Sequence, residues 1–381
     1  MSVLVVGASA AGLTTAEALR RKGFRGALTV LGAEYHPPYD RPPLSKQFLS
    51  GDWDEARTRL RPDNLLAALD AEFVLGDPAV SLSDHTVHTA AGRSLTADHV
   101  VIATGLQPRR LPGPPLEGVH VLRTLDDAAA LRNALAADKR GGVVVVGDGV
   151  LGAEIAATVR KLGIAVTLAG PQAALMEAQL GAVVGGLLGE LHAAEGVELR
   201  LGAAVEQLEG VDGWVSGVRL VGGEVLPADV VVVALGAVPA TGWLEGSGLT
   251  LENGVVCDEY CRAADGVYAA GDVARWRHED RLVRLENRTN ATEQALCVAA
   301  NIMGEHQPYR PVPYFWTDQF GTKLQVHGRP SADLTIAEGT IGERFVAHYR
   351  DAGRIVGVLG WNAPKQTRTH RMHLISGEGH R

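Results

Sequence analysis

The sequence predicts an α/β protein with two βαβ-based, nucleotide-binding domains and a small α+β domain at its C-terminal end. Three observations predict it. The glycine turn "VVGASAAG" at residues 5–12 returns nearly unchanged as "VVGDGVLG" at residues 145–152. Each copy opens a strand, turn, helix, strand pattern, and the chain beyond residue 306 changes to alternating strand patterns. The 381-residue length exceeds one ordinary core and fits two or three domains.

The first unit, "SVLVVGASAAGLTTAEALRRKGFRGALTVLG", reads as strand, turn, amphipathic helix with Ala11, Ala16 and Leu19 on its apolar face, then strand. "GGVVVVGDGVLGAEIAATVRKLGIAVTLAG" repeats the plan. Gly12 aligns with Gly152, Gly23 with Gly163, and, after two extra residues at Arg25 and Gly26, Thr29 with Thr167. The chain thus holds two Rossmann-type halves. Between them, the prolines of "QPRRLPGPPLEG" (107–118) favour an extended connector. "ADVVVVALGAVPATGWL" (228–244) supplies an apolar strand and a turn, and "FVAHYRDAGRIVGVLGW" a hairpin about Asp-Ala-Gly.

Composition narrows the function. Hydrophobic residues make up 46% and charged residues 21%, the balance of a soluble globular enzyme. A formal charge of -8 leaves no basic surplus to neutralise nucleic-acid phosphates. No signal-like segment or long apolar run is present, so a cytoplasmic protein without membrane attachment is expected. The cysteines, Cys257, Cys261 and Cys297, lack metal-knuckle spacing and read as ordinary buried thiols; no metal site is expected.

In a dinucleotide turn the first glycine permits the bend, the second lets backbone approach the pyrophosphate, and the third lets helix pack on strand. The helix N-terminus then attracts the phosphates. Gly147, Gly149 and Gly152 satisfy the full pattern, with Val150 and Leu151 between the last two. The first copy keeps Gly7 and Gly12 but places Ser9 at the middle position, followed by Ala10 and Ala11; the small hydroxyl side chain is compatible with binding. An acid at the end of the second strand normally accepts from the adenosine ribose. Glu34 stands just beyond that position in the first half, whereas the second half has Gly170 there and Gln172 opposite Glu34. A hydrogen bond to a charged group is worth about 1.5–3 kcal/mol. Its loss leaves the choice between NADH and NADPH open, tilted toward NADPH or relaxed use.

With "PPYDRPPLSK", "VIATG", "VYAAGDVA" and "YFWTDQFG" added in order, the chain resembles the bacterial FAD-dependent NAD(P)H:ferredoxin reductases. That family includes putidaredoxin reductase and the reductase components of aromatic dioxygenases. The resemblance implies a glutathione-reductase-like fold, with FAD segments at 1–110 and 228–306, an NAD(P)H domain at 111–227 and a C-terminal domain at 307–381. It implies a flavoprotein passing electrons from NAD(P)H through FAD to a ferredoxin-type iron–sulfur protein, as monomer or homodimer.

Residue by residue, it makes Asp272 the ribityl-chain acceptor, a role open to a strand-end carboxylate, although a solvated turn aspartate reads the same way. Thr104 and Gly105 stand where the chain passes between domains beside the flavin. Arg123 matches a flavin-contacting arginine, with an interdomain salt bridge nearly as good a reading. Lys46 is carried over as the cation near flavin N5, paired with Glu154, and Trp316 as a flavin-edge aromatic. Arg41, Val80, Ala103 and Gly271 join the flavin set, and Gly236 completes the cofactor set. Arg288 departs from the family, which commonly has an apolar residue or tryptophan there, and the chain ends short of the usual tail. Residues 1–256 lack the cysteine a disulphide reductase needs near its start. An NAD(P)H oxidase or a flavin-binding redox sensor remains as a rival reading. "KQTRTHR" (365–371) is a candidate ferredoxin patch, an ordinary solvated surface being the plain alternative.

Overall fold

The structure, a computed structural model, describes residues 1–137, 141–278 and 281–375. It divides into two compact units, one of Met1–Asp40, Ala56–Gln107 and Ala237–Pro311, the other of Arg41–Glu55, Pro108–Gly236 and Val312–Arg381.

The first unit centres on a six-stranded sheet in the order Arg262–Ala264, Val267–Ala269, His99–Ile102, Val3–Val6, Leu28–Gly32, Glu72–Leu75. All neighbours are parallel except the first pair. Val3–Val6 is buried at every position, as a central parallel strand covered on both faces must be. The helix Ala10–Arg21 follows the first turn and packs against the helix Arg288–Ile302. Trp276 is fully buried here and donates from Nε1 to the Tyr309 carbonyl at 3.3 Å. All three cysteines are free and buried, and burial pushes the Cys257 and Cys261 thiols up.

The second unit repeats the plan with a parallel five-stranded sheet in the order Glu198–Leu201, Val166–Gly170, Val143–Val146, Val230–Val233, Val119–His120. The helix Val150–Lys161 follows its turn. The apolar stretch after residue 228 forms the strand Val230–Val233, as its valine run requires. Residues 314–361 make a five-stranded antiparallel sheet, in which Arg344–Asp351 and Arg354–Trp361 form the expected hairpin. Ala352 and Gly353 turn it with φ of 49° and 79°, a left-handed pair that matches strand twist. The Tyr349 hydroxyl donates to the Leu180 carbonyl at 2.6 Å, tying this sheet to the helix Glu177–Ala194. Beside it His192 lies 2.6 Å from Gln319 Oε1, and burial pushes its imidazole down to about 4, so the ring is neutral at physiological pH. Among the described residues no helix is long and apolar enough to cross a membrane.

Two glycine cradles and a buried lysine–glutamate pair

In the first unit Gly7 ends its strand at φ 119°, a conformation a side chain would strain. A Cβ there would lie 2.2 Å from the Ala103 carbonyl oxygen, so this glycine is needed for both bend and packing. Gly12 is as tightly constrained: its Cβ would meet the Gly7 carbonyl oxygen at 1.8 Å. Ser9 is the N-cap of the helix, and its side chain makes no capping hydrogen bond, so the hydroxyl is not committed to the first turn. Ala10 and Ala11 are buried in that turn.

Other residues assigned to the flavin gather in the same unit. Glu34 follows the strand Leu28–Gly32 and accepts from the Tyr39 hydroxyl. Ala103 donates from its backbone N–H to the Val6 carbonyl at 2.7 Å. Thr104 Oγ1 donates to the Ala240 carbonyl at 2.9 Å, and Gly105 takes φ 67° while accepting from the Ala240 N–H at 2.9 Å. Gly271, φ 78°, donates to Gln294 Oε1 at 2.9 Å and starts a short 3-10 turn that presents Asp272. Arg288 opens the helix Arg288–Ile302, donating from Nε to Asp40 Oδ1 at 2.6 Å and from Nη1 to the Thr292 hydroxyl. The ion pair gives this departure from the family a local anchor. Val80, on the strand Ala79–Ser83 of a small antiparallel sheet, is 50% exposed.

The second unit builds its turn to the same dimensions. Gly147 has φ 126° and a would-be Cβ 2.3 Å from the Ala234 carbonyl oxygen; Gly152 would place one 1.9 Å from the Gly147 carbonyl oxygen. Gly149 caps the helix and faces open space, with nothing within 4 Å of a Cβ. Val150 and Leu151 are half-buried on the first turn. Gly236 adopts φ 80° and accepts from the Arg109 N–H at 3.0 Å. Tight helix–strand packing behind an open, donor-bearing helix end fits a pyrophosphate in both turns.

The same unit holds the charged pair. Lys46 ends the 3-10 turn Pro42–Ser45, and Glu154 lies on the first turns of the helix Val150–Lys161. Glu154 is buried; its Oε2 accepts from Lys46 Nζ at 2.7 Å and from Ser45 Oγ at 2.6 Å. Its Oε1 accepts from Thr317 Oγ1 at 2.7 Å, and the Thr158 hydroxyl donates to the Ser45 carbonyl at 2.7 Å. Ser45 and Thr317 escape sequence reasoning because only the fold brings them to the carboxylate, and Thr158 because only the fold brings it to the Ser45 carbonyl. Arg41 Nη1 donates to the Arg123 carbonyl, and the Arg123 N–H donates to Asp127 Oδ2 at 3.0 Å. Trp316 stacks on Tyr314, centroids 5.9 Å apart and planes 20° from parallel.

Residues 1–295 match the pyridine nucleotide-disulphide oxidoreductase family, and residues 314–379 match the reductase C-terminal family. Rhodocoxin reductase of Rhodococcus erythropolis is 36% identical, covering 99% of this chain and 90% of that protein. The ferredoxin--NAD(+) reductase component of the p-cumate 2,3-dioxygenase system of Pseudomonas putida is also 36% identical, covering 95% and 90%. The solved covalent putidaredoxin reductase–putidaredoxin complex superposes with a TM-score of 0.91 at 31% identity, over 97% of this chain and 92% of that one. No cysteine in residues 1–256 supports the disulphide chemistry in the family's name. The chain belongs to the pyridine nucleotide-disulphide oxidoreductase family, as an FAD-dependent oxidoreductase that uses NAD(P)H.

Proposed function

We propose that this protein carries electrons from NAD(P)H through FAD to a ferredoxin-type iron–sulfur protein that serves a terminal oxygenase. The observation that carries the reading is the duplicated cradle, one in each unit, with matching glycine conformations and matching helix–strand approach. Two such cradles suit a resident dinucleotide and a second that comes and goes. FAD, when bound, accepts a hydride and gives up electrons singly, chemistry that no side chain supplies.

The chain's own residues bind and orient. The turn of Gly7, Ser9, Ala10, Ala11 and Gly12 would hold the flavin pyrophosphate at a helix N-terminus. Glu34 and Asp272 would accept from cofactor hydroxyls, with Ala103, Thr104, Gly105, Gly271, Val80 and Arg288 of the same unit shaping the rest of the flavin site; Arg41, Arg123 and Trp316 are assigned to the flavin by the family resemblance alone. Gly147, Gly149, Val150, Leu151, Gly152 and Gly236 would hold the nicotinamide nucleotide. Lys46 supplies a fixed positive charge that favours negative charge on the flavin, and Glu154 fixes the ammonium. The boundary expected at residue 228 falls at 237 instead, because Val230–Val233 pairs with Val143–Val146; residues 1–110 and 237–306 then serve the flavin, 111–236 the nicotinamide nucleotide, and 307–381 form the C-terminal domain.

The partner's surface is assigned to the basic helix Pro364–His370, on which Lys365 and Arg368 are exposed. An acidic ferredoxin is steered by such charge. The test is steady-state reduction of a [2Fe–2S] ferredoxin, followed through cytochrome c. Lys365→Glu with Arg368→Glu should raise the ferredoxin KM several-fold while NAD(P)H-driven dye reduction stays unchanged. An unchanged KM removes this helix from the docking surface, and oxygen as the sole effective acceptor favours an NAD(P)H oxidase instead.

A further inference from the structure

We infer that Asp148 selects NADH over NADPH, an inference that rests on the second turn holding the nicotinamide nucleotide. The strand Val166–Gly170 ends in glycine where an acid would meet the adenosine ribose. Asp148, between the first two glycines of the turn, occupies that vacancy. A Cβ on Gly170 would lie 2.3 Å from both Cγ and Oδ2 of Asp148. The carboxylate therefore sits where the side chain of a strand-end acid would begin, and the two positions cannot both be filled.

The carboxylate is also held in place. Asp148 is 5% exposed; its Oδ2 accepts from the Gln172 backbone N–H at 2.7 Å, and its Oδ1 accepts from the Gln172 side-chain amide at 2.6 Å. Gln172 is fixed in turn, its Oε1 accepting from the Ala178 N–H at 2.7 Å and its carbonyl from the Gly202 N–H at 2.8 Å. Among the described residues no cation pairs with Asp148. Each oxygen keeps a lone pair beyond the one Gln172 uses, so the group can still accept from vicinal hydroxyls. A phosphate on the 2′-oxygen would put two like charges together in a buried setting, where repulsion is least screened. The apparent loss of the ribose-binding acid is thus a relocation, and the tilt toward NADPH taken from Gly170 alone is reversed.

The test is calorimetric titration of the FAD-loaded protein with ADP-ribose and with 2′-phospho-ADP-ribose, ligands that need no turnover. The wild type should bind ADP-ribose about 10- to 150-fold more tightly, the range of a hydrogen bond to a charged group. Asp148→Asn should bring the two affinities within a few-fold, chiefly by weakening ADP-ribose. Asp148→Gly combined with Gly170→Asp should restore the preference by returning the acid to the strand end. Equal binding of both ligands by the wild type, or an unchanged ratio in Asp148→Asn, overturns the inference. Loss of both ligands in Asp148→Asn with flavin absorbance intact also overturns it, by making the residue structural. If the wild type binds neither ligand, the nucleotide assignment of the turn itself fails, a result distinct from the others.

Discussion

Gly12→Val should emerge from purification without flavin, and Gly152→Val should emerge yellow but unreactive toward NADH. The two substitutions make the same chemical change at equivalent points, with Cβ atoms 1.8 Å and 1.9 Å from the carbonyl oxygens of Gly7 and Gly147. A Cβ is placed by the backbone, so no rotamer relieves either overlap and the helix must withdraw from its strand. Overpacking of this kind costs about 1–3 kcal/mol or more. The functional loss is greater, because the withdrawn helix end no longer points its N–H groups at a phosphate. Flavin absorbance per protomer reads the first variant, and nucleotide titration of the yellow protein reads the second. Yellow Gly12→Val at full stoichiometry would remove the flavin from the first cradle.

The second large effect is expected at Glu154. Its carboxylate serves three donors at once, and the Lys46 side chain facing it is only 15% exposed. Glu154→Ala leaves that ammonium buried without its partner, together with the hydroxyls of Ser45 and Thr317. Breaking one side of a buried pair costs about 3–5 kcal/mol. Glu154→Gln keeps the shape and should cost less, about 1–3 kcal/mol, the penalty of an ill-matched buried hydrogen bond. Replacing both partners, Lys46→Met with Glu154→Leu, should recover part of the stability lost in Glu154→Ala, since no unpaired charge stays buried while the Ser45 and Thr317 hydroxyls still lack their acceptor. Flavin reduction by NADH should nevertheless stay slow in the double variant if the positive charge acts on the flavin. Urea unfolding and stopped-flow reduction separate the two roles. Recovery of both stability and rate would make the pair a structural element only.

Local turn chemistry was legible in the sequence. Glycine spacing, the valine runs of two parallel strands and the Asp-Ala-Gly hairpin each depend on neighbouring residues, and the fold follows them. The Lys46–Glu154 pair spans 108 positions, so periodicity could not join it; only the ordered family motifs suggested it. Ser45 and Thr317, which complete the carboxylate's shell, carry no local signal at all. Gly170 hides its neighbour for a subtler reason. The glycine at the end of a strand looks like a missing acid until the structure shows an aspartate from the preceding turn filling its space. The placement of Arg41–Glu55 with Pro108–Gly236 likewise reflects contacts made across the chain, which composition does not record.

The most direct test of the central claim, that one chain joins a resident flavin to a nicotinamide donor, is anaerobic titration of the purified protein with NADH. The flavin absorbance should bleach with one equivalent of NADH per FAD and return when oxidised ferredoxin is added. A protein that is colourless and takes up no FAD, or a flavin that stays oxidised under excess NADH and NADPH, would contradict it.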